Sequence, residues 1–526
     1  MNAVPRSFYI TTPIYYVNDK PHIGHVYTTT ICDVAARFHR FLGCDVFFLT
    51  GTDEHGIKVE KSATDQGVTP QEIADRNAAE FESVMGLLHM TNDDFIRTTQ
   101  PRHTSQVTTL VARLIDSGDV YPGEYEGWYD EGQEEYVTDT KAAESDYKSP
   151  VSGKPLVKAK ERNYFFRLSA YQDRLLQHID ACPGFIRPEA RKNEVLGRLR
   201  DGLQDIPISR TNFTWGIPVP GDESHVIYVW VDALMNYVTA IGLVDADLPE
   251  SARRGYWPAQ FHVIGKEILF FHAIVWPAVL MALGIKLPEC VYAHSFWIRE
   301  GRKMSKSLGN FIDLPTIQSY TDRFGLDAWR WFMATQGPLG ATDADFAHSK
   351  FVEVYNSELA NTLGNAVNRV SNMINRYQDG IVKPAVAPDP ADFDWPGRTA
   401  AHVADSIDRM HKLDLSGSMH AALSIVRDVN GYIDVTKPFS VAKEPERADE
   451  LATILYNCIE AIRIASLLLW PALPQKMEAF WQRLGLSIDP QAGSLTELAA
   501  WGGLSADHRV TTGDPLFPRW KEPEDE

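Results

Sequence analysis

Hydrophobic and polar positions follow two different periods along the first third of the chain. Residues 7–11 and 46–50 are short apolar runs rich in β-branched and aromatic side chains, which is typical of buried strands. Between them, residues 28–42 carry apolar side chains at helical spacing on one face, at Val34, Ala35, Phe38 and Leu42. The order strand, helix, strand predicts a parallel βαβ unit, in which ligands bind beyond the carboxyl ends of the strands.

The pattern changes twice farther along the chain. Residues 121–229 are rich in glycine, proline and acidic residues, which predicts an insertion that splits the sheet domain. We expect the sheet to resume at residues 226–231 and 261–264. The last part of the chain has helical spacing, with long helices predicted over residues 351–377 and 451–469.

One segment, residues 268–285, is apolar almost throughout and is close to the minimum length for a membrane span. It also contains His272 and Pro277 and lies between Glu267 and Lys286. These interruptions favour a buried core helix, so we predict no membrane-spanning segment.

The composition is that of a globular protein. Of the 526 residues, 44% are hydrophobic and 23% are charged, which are ordinary values. This length suits roughly three or four domains. The five cysteines are scattered without a CxxC pair, which predicts reduced thiols and a cytoplasmic location.

The net charge of −19 argues against a protein coated in positive potential. It does not exclude a nucleic-acid partner, because the position of the basic residues decides that question. Two basic clusters are each either a solvated surface or part of a track for a phosphate-rich partner. They are Arg187, Arg191, Lys192, Arg198 and Arg200, and Arg299, Arg302, Lys303 and Lys306.

Two short motifs, PHIGH at residues 21–25 and KMSKS at residues 303–307, indicate chemistry on a nucleotide triphosphate. The first places His22 and His25 around Gly24 after a predicted strand, where a helix start presents N–H groups to an anion and glycine permits close approach. The second places Lys303 and Lys306 in a polar, loop-like stretch that can close over a leaving pyrophosphate. Taken singly, the first is typical of a surface turn and the second of a solvated face. Together and in this order, they resemble the signature pair of class I aminoacyl-tRNA synthetases.

Further blocks narrow the resemblance to the methionyl-tRNA synthetases. The similar blocks lie at residues 11–18, 50–56, 228–233, 264–268, 271–277 and 303–310. The resemblance implies an α/β fold with a Rossmann-like (HUP-type) parallel-sheet catalytic domain, split by an inserted connective domain and followed by an α-helical anticodon-binding bundle. The implied ranges are 1–118 and 228–298 for the catalytic halves, 119–227 for the insertion, 299–350 for the lysine loop and stem-contact region, and 351–526 for the helical domain and tail.

The resemblance implies a methionine–tRNA ligase. Such an enzyme joins L-methionine to ATP, which comes with Mg²⁺, and releases pyrophosphate; it then transfers the methionyl group to the 3'-terminal adenosine of tRNA-Met. Carried over residue by residue, the catalytic groups are His22, His25, Lys303 and Lys306. The ATP-binding residues are Gly24, Gly265, Lys266, Glu267 and Lys306.

The implied methionine site combines an anion for the ammonium group with an aromatic slot for the thioether. Asp53 matches the family's ammonium-binding aspartate, although an aspartate in this glycine-flanked segment also suits an Asx-turn. The slot is implied at Ile14, Tyr16, Trp230, Ala233, Leu234, Tyr237, Phe271, His272 and Trp276, and Leu234 stands where some relatives have proline. Binding alone separates methionine from homocysteine by about 10–200-fold. Because the insertion is too short for a large editing domain, we expect homocysteine to be rejected in the synthetic site, as in the family.

The helical domain carries the implied tRNA contacts. Asn365 and Arg369 lie one turn apart on the predicted helix and match the family's base-reading pair; a plain surface pair is the alternative. Phe439 stands where many relatives have tryptophan and is expected to stack on an anticodon base with reduced strength.

Two features that some relatives have, a zinc-binding set of cysteines and a dimerising domain, are not seen in this sequence. Many relatives bind structural zinc through CxxC pairs in the insertion, but residues 121–162 contain no cysteine, so we expect no zinc and no other resident metal. The chain ends soon after the predicted bundle, without room for a dimerising domain, which predicts a monomer.

Three alternatives compete with this interpretation. Another class I synthetase would need zinc ligands at its substrate site or a far larger editing insertion. An inactive tRNA-binding relative would not need both motifs intact. A small adenylyltransferase would explain the first motif but neither the lysine loop nor the helical half.

Overall fold

The computed structural model describes residues 7–17, 20–130, 135–137, 139–149, 152–244, 253–304 and 310–521. Its first part alternates strands and helices, as the hydrophobic pattern predicts. The elements are β1 (Ser7–Thr11), β2 (Tyr15–Tyr16), α1 (Ile23–Phe41), β3 (Asp45–Asp53), α2 (Ile57–Gln66), α3 (Pro70–Leu87), β4 (Asp94–Arg97) and α4 (Pro101–Asp116). Helix α1 begins at Ile23, earlier than residue 28, because a polar cap and not an apolar residue starts it.

Most of the described strands in residues 119–227 belong to two small antiparallel sheets. Their elements are β5 (Val120–Asp130), β6 (Glu135–Val137), α5 (Asp139–Glu144), β7 (Val157–Phe166), α6 (Gln172–Ala181), β8 (Ile186–Arg187), α7 (Glu189–Arg200), β9 (Ile206–Pro207), β10 (Ser209–Arg210), β11 (Pro218–Val219) and β12 (Asp222–Ile227). One sheet has the order β6-β5-β7-β9 and the other β10-β12-β11. The prediction that residues 226–231 continue the main sheet is therefore wrong. A short apolar run does not show which sheet its strand joins or whether it is helical.

The chain then returns to the main sheet. The elements are α8 (Val229–Leu234), α9 (Asn236–Thr239), β13 (Phe261–Gly265), α10 (Trp276–Ala282), β14 (Val291–His294), β15 (Trp297–Arg299) and β16 (Arg302–Lys303). A π-helical turn, Phe271–Val275, leads directly into α10. This apolar segment is mostly buried in the protein, which confirms the predicted core helix.

In the described part of the chain the main sheet has seven strands, in the order β2-β3-β1-β13-β14-β8, with β4 also paired to β3. All of these pairings are parallel. Phe8 and Ile10 of β1 belong to the core that includes α1, whereas Tyr9 belongs to the core on the opposite face, which includes α4 and α10. Both faces are thus covered, as is usual for parallel sheets, and the predicted α/β fold is confirmed.

The remainder is largely helical. Its elements are α11 (Leu314–Phe324), α12 (Leu326–Gln336), β17 (Ala344–Phe346), α13 (His348–Val354), α14 (Asn365–Gln378), α15 (Trp395–His411), α16 (Leu415–Thr436), α17 (Pro438–Val441), α18 (Ala448–Leu469), α19 (Pro474–Arg483) and α20 (Leu495–Leu498). Strand β17 pairs with β15. The predicted helix over residues 351–377 is continuous, but its middle, Tyr355–Gly364, is π-helical. Among the described residues the run Pro445–Leu469 is long and apolar enough to span a membrane, yet 94% of its apolar window is buried in the bundle.

A buried ionic cluster ties α1 to the helical domain. The Asp33 carboxylate on α1 accepts hydrogen bonds from Arg37, at 2.7 Å, and from Arg330 on α12, also at 2.7 Å. Arg330 donates further to the carbonyl of Pro471, just beyond α18, at 2.8 Å. Burial alone would raise the pKa of Asp33, but the two arginines outweigh it and bring that pKa to about 2. Helix α1 is therefore anchored at its middle to the helical part of the molecule.

Candidate active site

A cavity of about 410 Å³ opens at the carboxyl ends of the parallel strands, a size in the range of small-molecule sites. Many of the residues predicted from the sequence border it. They are Ile14, Tyr16, His22, Gly24, His25, Asp53, Trp230, Ala233, Leu234, Tyr237, Gly265, Glu267 and His272. Residues from distant parts of the chain thus meet where the rule for parallel sheets places a ligand.

The histidine motif forms the start of α1. His22 is the N-cap residue, and its Nδ1 accepts a hydrogen bond from the backbone N–H of Gly24 at 3.1 Å. His25 Nδ1 accepts from the backbone N–H of His22 at 3.3 Å, and the two rings stack with centroids 3.9 Å apart. Because both Nδ1 atoms accept, a neutral ring carries its proton on Nε2. Both imidazoles therefore present N–H donors at a helix N-terminus, which suits an anionic phosphate.

The environment of His25 keeps it neutral. Its ring packs against Tyr15, with centroids 4.7 Å apart, and edge-on to Phe81 at 5.2 Å. Burial, with His22 as a further contribution, holds the pKa of His25 well below its ordinary value. His25 thus acts as a hydrogen-bond donor and not as a cation at neutral pH.

The segments that flank the lysine loop lie beside the histidine motif. Lys306 and the other residues of 305–309 lie outside the described residues. Asn310 Nδ2 donates to the backbone carbonyl of Lys303 at 3.1 Å, so the two ends of the loop are joined. Beyond it, the Phe311 ring lies edge-on to His22, with centroids 4.8 Å apart, and Ile23 N–H donates to the Ile312 carbonyl at 3.1 Å. Lys303 itself is exposed on β16 and is not among the described residues that border the cavity.

Asp53 is the last residue of β3 and is 7% exposed. It is paired with Tyr16 of β2 in the sheet, and its backbone carbonyl accepts from Val17 N–H at 3.2 Å. Lys58 also borders the cavity, with its ammonium nitrogen 5.7 Å from the centroid of the Tyr16 ring. A buried carboxylate at this edge suits a small cationic group of a ligand.

Tyr237 and His272 form a fixed polar pair in the apolar wall. His272 Nδ1 lies 3.1 Å from the carbonyl oxygen of Ile268, which only accepts, so this nitrogen carries the proton. His272 Nε2 must then accept, and the Tyr237 hydroxyl donates to it at 2.7 Å. Burial lowers the pKa of His272 to about 4, so the ring is neutral in the physiological range. The wall is thus polarisable and carries no net charge at this point.

Two predicted pocket residues lie behind this wall. Phe271 stacks on Trp230 with centroids 4.3 Å apart and an interplanar angle of 6°. Trp276 is fully buried and donates through Nε1 to His262 Nε2 at 3.4 Å, while the centroids of the His262 and Tyr237 rings lie 4.1 Å apart. Neither Phe271 nor Trp276 is among the described residues that border the cavity. They support residues that do.

At the end of β13, Gly265 and Glu267 border the cavity, whereas Lys266 does not. A Cβ atom on Gly265 would overlap the Glu267 carboxylate, so glycine permits this close approach. Burial raises the pKa of Glu267. Lys266 points elsewhere: its Nζ forms an ion pair with Asp343 at 2.6 Å and lies 4.4 Å from the centroid of the Phe296 ring.

Sequence reasoning missed several residues that border the cavity. His294 is the last residue of β14, and its Nε2 accepts from the Thr28 hydroxyl at 2.8 Å because its Nδ1 donates to the Ser295 carbonyl. Burial lowers the pKa of His294 to about 4. Its position at a strand end was a usable signal. Lys58 and Thr28 carry no such signal, because both lie inside helices.

The predicted tRNA contacts lie in the helical domain. Asn365 is exposed at the start of α14, directly after the π-helical stretch, and Arg369 follows one turn later. The Arg369 guanidinium lies 3.4 Å from Asp434 near the end of α16, and Phe439 on the next helix, α17, is 46% exposed. The ion pair thus joins the helix of Asn365 to the end of the helix that precedes Phe439.

The structure offers two observations on metals and thiols. Within the described ranges, no group of three or more His, Cys, Asp or Glu side chains comes together in a way that could hold a metal ion. All five cysteines are free thiols.

Comparison with known proteins agrees with the geometry. The chain matches the family described as tRNA synthetases class I (M) over residues 8–145 and 141–371. A methionine–tRNA ligase of Streptomyces coelicolor is 44% identical over 98% of this chain and 97% of its own length, and one of Bacillus subtilis is 42% identical over 99% and 79%. The Mycobacterium tuberculosis methionyl-tRNA synthetase in complex with methionyl-adenylate has a TM-score of 0.88 at 37% identity, covering 98% of this chain and 100% of that one. The chain therefore belongs to the methionyl-tRNA synthetase family of class I aminoacyl-tRNA synthetases.

Proposed function

We propose that the cavity is the site where this methionine–tRNA ligase activates L-methionine with ATP and then transfers the methionyl group to tRNA-Met. The observation that carries the proposal is the meeting, around one cavity, of the histidine motif, the Asp53 carboxylate and an aromatic wall. The ends of the lysine loop lie next to the same motif. Since the reaction needs little covalent work from the protein, positioning and charge neutralisation dominate.

Methionine would bind with its ammonium group at Asp53 and its side chain along the aromatic wall. Ile14, Tyr16, Trp230, Ala233 and Leu234 supply apolar surface, and sulfur contacts with aromatic edges contribute about 0.3–1.5 kcal/mol each. The Tyr237–His272 pair supplies polarisable groups without charge at the end of the slot. Phe271 and Trp276 hold this wall from behind. Homocysteine would be rejected in the same site.

ATP would lie across the strand ends, with the adenosine near Gly265, Lys266 and Glu267 and the phosphates at the start of α1. Gly24 and the Nε2–H groups of His22 and His25 face the phosphates, and Lys303 and Lys306 would stabilise the leaving pyrophosphate. Magnesium bound to the phosphates of the incoming ATP supplies further neutralisation. For Lys266 to contact the nucleotide through its ammonium group, its ion pair with Asp343 would have to open.

The helical domain would read the anticodon of tRNA-Met. Asn365 and Arg369 would pair with base edges, and Phe439 would stack on a base through its exposed ring. We propose further that the chain works in the cytoplasm as a monomer without structural zinc. Light scattering and metal analysis of the purified protein test the last two statements.

Methionine-dependent exchange of pyrophosphate into ATP tests the central proposal. We expect exchange with methionine and much weaker exchange with leucine or homocysteine. Charging of tRNA-Met should follow in a second assay. An inactive tRNA-binding relative would bind tRNA-Met but show no exchange, and a synthetase for another amino acid would show exchange with that amino acid instead.

A further inference from the structure

A buried cluster of polar side chains lies behind the cavity wall and has no part in the contacts described so far. Its centre is Asp232 on α8, which is fully buried. One carboxylate oxygen of Asp232 lies 2.6 Å from His55 Nδ1, and the other lies 2.7 Å from His103 Nε2. His103 on α4 is also fully buried, and its Nδ1 lies 2.8 Å from the Thr239 hydroxyl.

The carboxylate at the centre of the cluster is charged. Burial alone would raise the pKa of Asp232, but His55 and His103 outweigh it and bring that pKa to about 2. Asp232 is therefore an anion, and both imidazole nitrogens that face it must donate. The other ring nitrogen of His103 lies beside the Thr239 hydroxyl, which also donates to the carbonyl oxygen of Asn236 at 3.3 Å. Each carboxylate oxygen has a donor, as a buried carboxylate requires.

Two members of the cluster, His55 and Asp232, come from segments that also build the proposed methionine site. His55 follows Asp53 by two residues, in the segment just after β3. Asp232 lies on α8 between Trp230 and Ala233, which border the cavity. A single carboxylate thus joins the segment of the ammonium-binding residue to the helix that supplies the side-chain wall.

A second contact fixes the other side of the same segment. Glu54, between Asp53 and His55, is fully buried and accepts from Arg97 Nε at 2.6 Å and Nη2 at 3.0 Å. The Glu54 contact leads to β4, whereas the His55 contact leads to α8. Of these two contacts, the one between His55 and Asp232 is therefore the one that links the Asp53 segment to α8.

We propose that Asp232 is a positioning residue for methionine recognition, which holds the Asp53 segment against α8 so that the ammonium site and the side-chain wall keep a fixed spacing. This role of Asp232 rests on the proposed function, and it makes Asp232 one of the residues that set the affinity for methionine. Methionine must engage both groups at once, and displacements of about 1 Å in a site cost up to roughly 100-fold. ATP contacts other elements and should be little affected.

The test compares two substitutions that have the same shape change. In Asp232→Asn, the negative charge is lost and the new NH₂ group faces an imidazole nitrogen, so that histidine must either lose the contact or move its proton to its other ring nitrogen. The matched control is Asp94→Asn on β4: Asp94 also bridges two partners, Arg102 at 2.7 Å and Arg253 at 2.8 Å, but is not among the described residues that border the cavity.

Steady-state pyrophosphate exchange is measured for both variants and the wild-type protein with methionine and ATP varied separately. For Asp232→Asn we expect the KM for methionine to rise about 10- to 100-fold, with the KM for ATP within about twofold of wild type. For Asp94→Asn we expect both KM values to stay within about twofold. The double variant Asp53→Asn/Asp232→Asn should lose little beyond Asp53→Asn, because residues that act as one unit are not additive.

Three results would overturn the proposal: an unchanged KM for methionine in a folded Asp232→Asn variant, equal increases in both KM values, or an equal effect in the Asp94 control. If Asp232→Asn does not fold, His103→Leu removes one of the two donors, and an unchanged KM for methionine in that variant overturns the proposal in the same way. Wild-type protein without methionine-dependent exchange refutes the proposed function itself. Active wild type with unaffected variants refutes only the role of Asp232.

Discussion

Replacing Gly24 by alanine should lower the rate of methionyl-adenylate formation and leave the stability of the fold nearly unchanged. A Cβ at this position would lie 3.0 Å from Cε1 and 3.2 Å from Nδ1 of His22, so the imidazole must shift by a few tenths of an ångström. The same ring holds the hydrogen bond from Gly24 N–H that caps α1. The substitution therefore changes the direction in which the His22 Nε2–H group points.

The two contributions to stability nearly cancel. Loss of an N-cap contact costs about 0.5–2 kcal/mol, whereas replacing glycine by alanine in a helix gains about 0.8–1.0 kcal/mol. We expect the free energy of unfolding to change by less than about 1 kcal/mol. The rate of methionyl-adenylate formation should nevertheless fall about 10- to 100-fold, which corresponds to about 1.4–2.7 kcal/mol of transition-state stabilisation.

Pyrophosphate exchange and thermal unfolding, measured on the same preparations, check this prediction. Gly86→Ala is a matched control, because Gly86 lies in α3 with open space where its Cβ would be; it should leave activity unchanged. A kcat for Gly24→Ala within about threefold of wild type would refute the reasoning. A raised KM for ATP with normal kcat would instead show that Gly24 serves to leave room for the nucleotide.

Further predictions concern the other groups of the site and the fold. Asp53→Asn should raise the KM for methionine about 100-fold or more but not that for ATP, because loss of one partner of a buried charged pair costs about 2–5 kcal/mol; equal changes in exchange kinetics would contradict this. Lys306→Ala should slow adenylate formation about 10²–10³-fold in single-turnover assays and leave methionine affinity unchanged, whereas equal losses would undercut its role at the leaving group. Phe439→Ala should lower charging of tRNA-Met about tenfold with normal pyrophosphate exchange, since stacking on a base contributes about 1–3 kcal/mol; a matching loss in exchange would point to misfolding. The folded-state pKa of Asp33 lies below its unfolded value, so its contribution of roughly 2 kcal/mol is present above pH 4 and lost as the pH falls toward 2. The difference in stability between wild type and Asp33→Asn, from chemical denaturation, should therefore shrink by roughly 1 kcal/mol between pH 7 and pH 3, and a constant difference would refute that assignment.

The sequence by itself determined the elements whose signal is local. The spacing of apolar residues over short stretches of chain is enough to predict strand β1, the start of the parallel sheet and the helix over residues 351–377. The two motifs are visible in the sequence because their residue types and order are themselves the signal, and the role of Asp53 is implied by the family resemblance. These features need no knowledge of what packs against them.

Only the tertiary structure decided the features that depend on distant partners. Residues 226–231 carry the same apolar signal as a strand of the main sheet, but residues 226 and 227 lie in a strand that pairs with β10 and β11, and residues 229–231 begin helix α8. The protonated nitrogen of His272 is set by Ile268 and Tyr237, and Trp276 faces His262 and not the cavity. Asp232 meets His55 and His103 across 177 and 129 positions of sequence. The physical reason is that burial, charge and tautomer depend on the atoms within a few ångströms, and folding alone chooses those atoms.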